Sequence, residues 1–272
     1  MMSGLDYAGK TIVVTGAYSG IGAALVPLLQ EFGATDITVL DVRQPEYEVP
    51  RFIQVDLGEP GSIDAILPQL APEIDVLFNN AGIPGTRPVE QVMSVNLFAV
   101  QYLSKALLPR IRQGGAIVNT ASIAGIGWPS HLPEILELLR LDDWQAQLAW
   151  LSKQSALVGN GYNFSKECLQ VYTMLLGRDA WRNRGIRVNS VCPSPVDTPI
   201  LADFRATMTD AAIDQAIREG GGQLCSPRQQ AQVLAFLGCD LASYVNAINI
   251  NVDGGYGAGL MVGDVLIPEL AD

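Results

Sequence analysis

A short apolar run, Thr11–Thr15, passes directly into Gly16-Ala17-Tyr18-Ser19-Gly20-Ile21-Gly22, and apolar residues then recur at helical spacing as far as Phe32. A strand that turns through glycines into a helix constrains a chain severely. It opens a βαβ unit and leaves a row of backbone N–H groups, backed by a helix N-terminus, facing out of the turn. Those donors and the helix dipole suit a pyrophosphate. Glycine at 16 and 20 keeps side chains off the phosphates and out of the turn. Tyr18, Ser19 and Ile21 add backbone donors, and Gly22 lets the helix lie close to the sheet.

The rest of the chain repeats this alternation. Strand candidates fall at Thr11–Thr15, Asp36–Leu40, Phe52–Val55, Val76–Phe78, Ala116–Asn119, Arg187–Val191 and Ala247–Asn251. Helical patterns occupy Ile21–Phe32, Ser62–Leu70, Val89–Arg112, Tyr162–Asn183 and Pro227–Leu241. Nearly continuous apolar strands separated by amphipathic helices predict a parallel sheet covered on both faces, the doubly wound α/β (Rossmann-type) class with seven strands. One domain spanning 1–272 is the simplest organisation. Only the stretch from about 125 to 160 departs from it. There Leu132, Ile135, Leu136, Leu138 and Leu139, then Trp144, Leu148 and Leu151, recur at helical spacing, with Pro133 and Asp142-Asp143 placed as helix starts. This predicts a small helical insertion with an apolar face, whose role is packing on the parent domain, a subunit contact or a substrate lid.

Composition removes several alternatives. With 272 residues, 49% hydrophobic and 17% charged, the chain can bury a large core without staples and does not have the composition of a disordered protein. A net charge of −11 argues against nucleic acid and against an anionic membrane surface. No apolar run reaches the roughly 18 residues of a membrane span, and Met1 to Lys10 lacks the pattern of a signal peptide. The four cysteines (Cys168, Cys192, Cys225, Cys239) form no C-x-x-C pair, which suits a reducing, cytoplasmic setting. The single histidine, His131, leaves no basis for a His-rich metal site or a Ser-His-Asp triad, and it is expected on the surface of the insertion.

Asp41 closes the second strand about 20 residues beyond the glycine turn, where a carboxylate reads the ribose hydroxyls of a dinucleotide. It would repel a 2′-phosphate and so favours NAD, although Arg43 beside it leaves NADP open; an ordinary strand-end turn residue is the alternative. Asp56, with Leu57, follows the third strand in the manner of an adenine contact. Asn79-Asn80-Ala81-Gly82 ends the fourth strand with short residues that would let the nicotinamide half lie near the backbone. Tyr162 and Lys166 stand one turn apart on one helix face. An ammonium beside a phenol would stabilise the phenolate and draw its pKa from about 10 toward neutrality.

These residues together resemble the short-chain dehydrogenase/reductase family over essentially the whole chain. The likeness rests on the segment Thr15 to Gly22, Asn79 to Gly82, Asn96, Ser122, Tyr162-x-x-x-Lys166, Pro193 to Thr198 and Asp253-Gly254-Gly255. It implies an oxidoreductase that interconverts a secondary alcohol and a ketone by hydride transfer with a nicotinamide cofactor. Ser122 would hydrogen-bond the substrate oxygen and Tyr162 would move the proton. Lys166 would hold the nicotinamide ribose, and Asn96 would hold a water leading from Lys166 to solvent. Pro193, Val196 and Thr198 would flank the nicotinamide. Ser194 stands where the family usually has glycine. The long stretch between Ser122 and Tyr162 resembles that of bacterial 3α-hydroxysteroid dehydrogenase/carbonyl reductase, and implies a homodimer or homotetramer. Apolar residues in the insertion and in Thr198–Gly222, without clustered Lys or Arg, fit a bulky apolar alcohol or ketone such as a hydroxysteroid, with terpenoid or aryl ketones as the alternative. A non-catalytic NAD-sensing protein is the remaining reading, disfavoured because Asn96, Ser122, Tyr162 and Lys166 are all present.

Overall fold

The computed structural model describes residues 5–265; residues 1–4 of the Met1–Lys10 stretch, and the last seven of the span 1–272, lie outside it. Seven strands, β1 (Thr11–Thr15), β2 (Asp36–Asp41), β3 (Arg51–Gln54), β4 (Ile74–Asn79), β5 (Ile111–Thr120), β6 (Arg187–Pro193) and β7 (Asn249–Val252), form one parallel sheet in the order β3-β2-β1-β4-β5-β6-β7. This is a Rossmann-type doubly wound sheet, and its strand order reverses between β1 and β4.

The helices are α1 (Gly20–Glu31), α2 (Pro60–Ile66), α3 (Val89–Met93), α4 (Ala99–Leu107), α5 (Leu132–Leu139), α6 (Trp144–Lys153), α7 (Ser155–Val158), α8 (Tyr162–Arg184), α9 (Leu201–Thr207), α10 (Asp210–Glu219), α11 (Pro227–Gly238) and α12 (Tyr256–Val262). On one face of the sheet, Leu25, Leu28 and Leu29 of α1 and Leu234 and Leu237 of α11 pack on Val14, Val39, Phe78 and Val118. On the other, Leu103 and Leu107 of α4 and Cys168 and Leu169 of α8 pack on Val13, Leu77, Ile117 and Val188. Successive strand side chains alternate between these two cores, so both must be apolar; hence the unbroken apolar strands.

Several boundaries differ from the sequence expectation. The helical pattern Val89–Arg112 ends at Leu107 and tightens through a 3-10 turn at Leu108–Arg110, because Pro109 cannot donate into a continuing helix. Ile111 and Arg112 therefore begin β5, well before Ala116. A π-helical turn, Ser94–Phe98, joins α3 to α4. The last strand starts at Asn249 rather than Ala247, since Ala247 adopts a left-handed conformation (φ +58°) where the chain meets Gly177.

The insertion is helical, as α5 to α7, with Asp143 capping α6 by accepting from the Ala146 N–H at 2.7 Å. Its apolar face is covered by the parent fold. Ile135, Leu138, Trp144, Trp150 and Leu151 all belong to the α4–α8 core. Trp144 sits edge-on to Phe98 (5.7 Å) and Tyr102 (6.1 Å), and Trp150 stacks on Phe164 (5.9 Å). Each such buried side chain contributes about 1.5–3 kcal/mol, which holds the insertion in place. His131 lies at the seam, its Nδ1 2.7 Å from Glu167 Oε2 of α8. Under the sheet, Arg187 is fully buried and donates to the carbonyls of Leu237, Gly238 and Cys239, fastening the end of α11 to β6.

Candidate active site

A cleft of about 1200 Å³ opens over the C-terminal ends of the strands, at the point where the strand order reverses. That is where doubly wound sheets bind ligands. Gly16, Tyr18, Ser19, Gly20, Ile21, Asp41, Asp56, Leu57, Asn80, Ala81, Gly82, Ser122, Tyr162, Lys166, Pro193, Val196 and Thr198 all line it. Gly22 and Asn96 stand behind the lining.

The floor is shaped by backbone approach. A Cβ on Gly16 would penetrate Ala81, and one on Gly22 would strike the Gly16 carbonyl and, at 2.6 Å, Asn80 Nδ2. Thr15 Oγ1 accepts from the N–H groups of Asn80 and Ala81, each at 3.0 Å, and Asn80 Nδ2 donates to Gly16 O at 2.7 Å. These bonds lock the first turn against the end of β4. The role of Thr15 was not evident from sequence, since a threonine ending an apolar strand carries no mark of what its hydroxyl holds. Asp41 accepts from Tyr18 N (2.9 Å) and Arg43 N (3.2 Å), and the Arg43 guanidinium lies 5.4 Å above the Tyr18 ring. β3 stops at Gln54, so Asp56 sits in the following turn, accepting from Gly58 N at 2.8 Å. Ser194 needs no left-handed backbone, so a side chain is accommodated where glycine is usual. Thr198 closes over the phosphate turn, its Cγ2 3.3 Å from where a Gly20 Cβ would stand. A cradle that admits no Cβ at its narrowest points, with free N–H groups at the start of α1, fits a dinucleotide.

The catalytic candidates come from three elements. Gly161 enters α8 in a left-handed conformation (φ +84°), and Asn160 Oδ1 accepts from Tyr162 N at 3.1 Å, so Tyr162 is the first residue of the helix and faces the cleft. Ser122 lies two residues past the end of β5, with its carbonyl held by Gln170 Nε2 at 2.8 Å. Burial pushes the Tyr162 phenol up to about 12, and the nearby Ser122 side chain opposes this only in part. The expectation that Lys166 draws this phenol toward neutrality is not met. The ammonium lies 5.8 Å from the Tyr162 ring centre and donates instead to Thr120 O at 2.9 Å. Burial lowers Lys166 to about 8. Asn96, fully buried in the π-helical turn, accepts from Ile83 N (2.8 Å) and donates to Ile83 O (3.0 Å) and Ser165 Oγ (3.3 Å).

The far wall is apolar and comes largely from α9, α10 and α12: Phe204, Met208, Ile213, Tyr256 and Leu260. Sequence reading marked this region only as apolar; nothing in the pattern singled out Phe204. The insertion meets the cleft only at its start, through Ile126, just after the cleft-lining Ile123 and Ala124, so its helices are not a lid. Among the described residues no group of three or more His, Cys, Asp or Glu could hold a metal, and no helix is long and apolar enough to cross a membrane.

Residues 10–132 match the short chain dehydrogenase family and residues 148–257 the Enoyl-(Acyl carrier protein) reductase family. The chain is 37% identical over 251 residues to the coniferyl-alcohol dehydrogenase of Pseudomonas sp. (strain HR199 / DSM 7063), covering 92% of this chain and 98% of that protein. Its structure resembles the 3-alpha-hydroxysteroid dehydrogenase of Pseudomonas sp. B-0831 in complex with NADH (TM-score 0.76, 29% identity, 94% of this chain and 100% of that one). It also resembles a putative NAD(P)-dependent gluconate 5-dehydrogenase from Beutenbergia cavernae with bound NADP (TM-score 0.69, 28% identity, 93% and 98% of the chains).

Proposed function

The chain belongs to the short-chain dehydrogenase/reductase family, an oxidoreductase of alcohols or ketones that uses a nicotinamide cofactor, and on that premise we propose that it oxidises a bulky, apolar, ring-bearing alcohol with NAD. The observation that carries this reading is the gathering of Tyr162, Ser122 and Lys166 in one cleft, with the Lys166 ammonium 5.8 Å from the Tyr162 ring centre and apolar side chains on the facing wall.

A bound nicotinamide supplies the acceptor for the hydride of the carbinol carbon. The protein's own residues do the rest. Ser122 donates to the substrate oxygen and fixes its distance from Tyr162. The Tyr162 oxygen takes the hydroxyl proton as the carbonyl forms and returns it in reduction. For that, the phenol must fall from its raised value, and the Lys166 ammonium, 5.8 Å from the Tyr162 ring centre, is placed to stabilise the phenolate and would hold the nicotinamide ribose. Asn96 braces the Ile83 backbone beside this path. Asp41 at the ribose end disfavours a 2′-phosphate, and Arg43 is drawn onto Tyr18, which supports NAD over NADP. A cytoplasmic setting and assembly as a homodimer or homotetramer belong to the same proposal.

Two substrate classes follow from the relatives. The 37% identical enzyme is named for coniferyl alcohol, a phenol carrying an allylic alcohol, and the apolar wall suits such a ring. A hydroxysteroid is the second reading, favoured by the likeness to the 3-alpha-hydroxysteroid dehydrogenase. Replacing Tyr162 by Phe tests the mechanism. The expected outcome is retained NAD binding with turnover reduced about 10²–10⁴-fold, followed as NADH absorbance. Undiminished turnover would overturn the assignment.

A further inference from the structure

We propose that Phe204 is a specificity-determining residue that recognises a planar, conjugated ring carried near the alcohol carbon of the substrate. The inference rests on the reading of Tyr162 as the proton-transfer group and names the substrate class of that site. Phe204 projects from α9 into the cleft and lies against the Tyr162 ring, with centroids 4.9 Å apart and planes tilted by 57°. Its ring is thus in direct aromatic contact with that of the proton-transfer group. A substrate whose oxygen rests on Tyr162 and Ser122 must lay whatever group it carries next to the face or edge of Phe204.

The cleft lining also carries the apolar side chains of Ile126, Met208, Ile213 and Leu260. The charged groups on the cleft, Arg43, Arg87, Asp41, Asp56, Lys166 and Asp203, lie with the nucleotide floor, under Tyr162 or on the segments that carry the wall, and Asp41, Lys166 and Asp203 already have partners that hold them there. A flat uncharged ring therefore matches this surface better than a phosphate, an acyl thioester or a sugar.

Phe204 is also held in place from both sides. Thr86 Oγ1, on the segment after β4, donates to Asp203 Oδ1 at 2.7 Å, and Arg205 bonds Asp210 (2.9 Å) and Asp214 (2.8 Å) of α10. The residues immediately before and after Phe204 are thus tied to the segment after β4 and to α10. An aromatic side chain fixed in this way discriminates between rings. Aromatic pairs gain from stacking beyond the area they bury, and a saturated ring of the same size gains only the area.

The test compares cinnamyl alcohol with its saturated-ring twin, 3-cyclohexylprop-2-en-1-ol, which carries the same allylic alcohol. With NAD, the wild-type protein is expected to favour cinnamyl alcohol in kcat/KM. Phe204→Leu, which keeps apolar bulk and removes the aromatic face, is expected to lower that preference about tenfold, chiefly through the KM of the aryl substrate, and Phe204→Tyr is expected to restore it. A preference unchanged within twofold in Phe204→Leu would overturn the proposal. Binding of cinnamyl alcohol to the NAD complex of Tyr162→Phe, with and without Phe204→Leu, gives a readout that needs no turnover. A roughly tenfold weaker Kd supports the role of Phe204 and an equal Kd refutes it. Absence of NADH formation from any alcohol, by contrast, would refute the dehydrogenase reading itself.

Discussion

The cleft has two sides built on opposite terms. Its floor, where β1 and β4 part, is defined by atoms that have nowhere to go: Gly16 against Ala81, Gly22 against Gly16, and Thr15 Oγ1 shared between two backbone N–H groups. Its far wall is defined by side chains on short helices held by surface bonds, Thr86 to Asp203 and Arg205 to Asp210 and Asp214. Exposed contacts of the second kind contribute about 0–1 kcal/mol each. The difference teaches what each side is for. The floor meets one unchanging molecule and is specified by steric exclusion. The wall meets the variable part of the substrate and is specified by replaceable side chains.

The comparison breaks most easily at Gly22. Gly22→Ala forces a methyl into the Gly16 carbonyl at the base of the cradle, and overpacking of this kind costs on the order of 1–3 kcal/mol or more. The expected outcome is a marked fall in Tm together with loss of NAD binding by calorimetry. Normal NAD affinity in that variant would show the floor to be as forgiving as the wall.

Lys166→Met separates function from stability at the junction of the two sides. Lys166 is almost fully buried, and burial lowers it from 10.5 to about 8, a penalty of roughly 3 kcal/mol at neutral pH, partly offset by about 1 kcal/mol from its bond to Thr120 O. The substitution should abolish turnover yet raise the Tm of the nucleotide-free protein by several degrees. The sign with pH follows. Below about 8 the lysine is charged whether folded or unfolded, so the penalty is fully present. Between about 8 and 10.5 the folded protein releases the proton first, so the penalty fades as pH rises and the advantage of Met shrinks. Tyr162 works in the opposite sense only above about 10, where the unfolded chain loses a proton that the folded one keeps to about 12. Melting curves at pH 7 and 9.5 check the sign for Lys166, and curves at pH 9.5 and 11 check the sign for Tyr162.

The smallest effect belongs to the wall. Thr86→Ala removes one exposed bond to α9, and a change of a few-fold in the KM of a bulky alcohol, with Tm within about 1–2 °C of wild type, is the expected outcome of steady-state kinetics and melting. A large loss of stability would show that the wall is built like the floor.

What could be seen in the sequence divides along the same line. Steric exclusion leaves its mark in residue type, so Gly16, Gly20 and Gly22 after an apolar strand revealed the cradle, and the short run Asn79 to Gly82 revealed where β4 ends. Helical spacing revealed the insertion and the shared face of Tyr162 and Lys166. Spacing says nothing of where a long side chain points, and Lys166 reaches Thr120 O rather than the phenol. Nor does it show that Pro109 ends a helix early enough for Ile111 to begin β5. Phe204 was invisible for a third reason: an aromatic residue in an apolar flap looks like cover until its distance to Tyr162 is known.

The π-helical turn at Ser94–Phe98 has a consequence for how this enzyme can change. A π-turn is an α-helix with one surplus residue, and that residue advances everything on one side of it by about 100° around the axis. Deleting a single residue between Ser94 and Phe98 would give α3 and α4 an uninterrupted hydrogen-bond ladder. It would also rotate Asn96, or the whole of α3, out of contact with Ile83 and Ser165. Shortening by one residue here would make a more regular helix and a blunter enzyme, because the length of this helix, and not only its side chains, sets where Asn96 points.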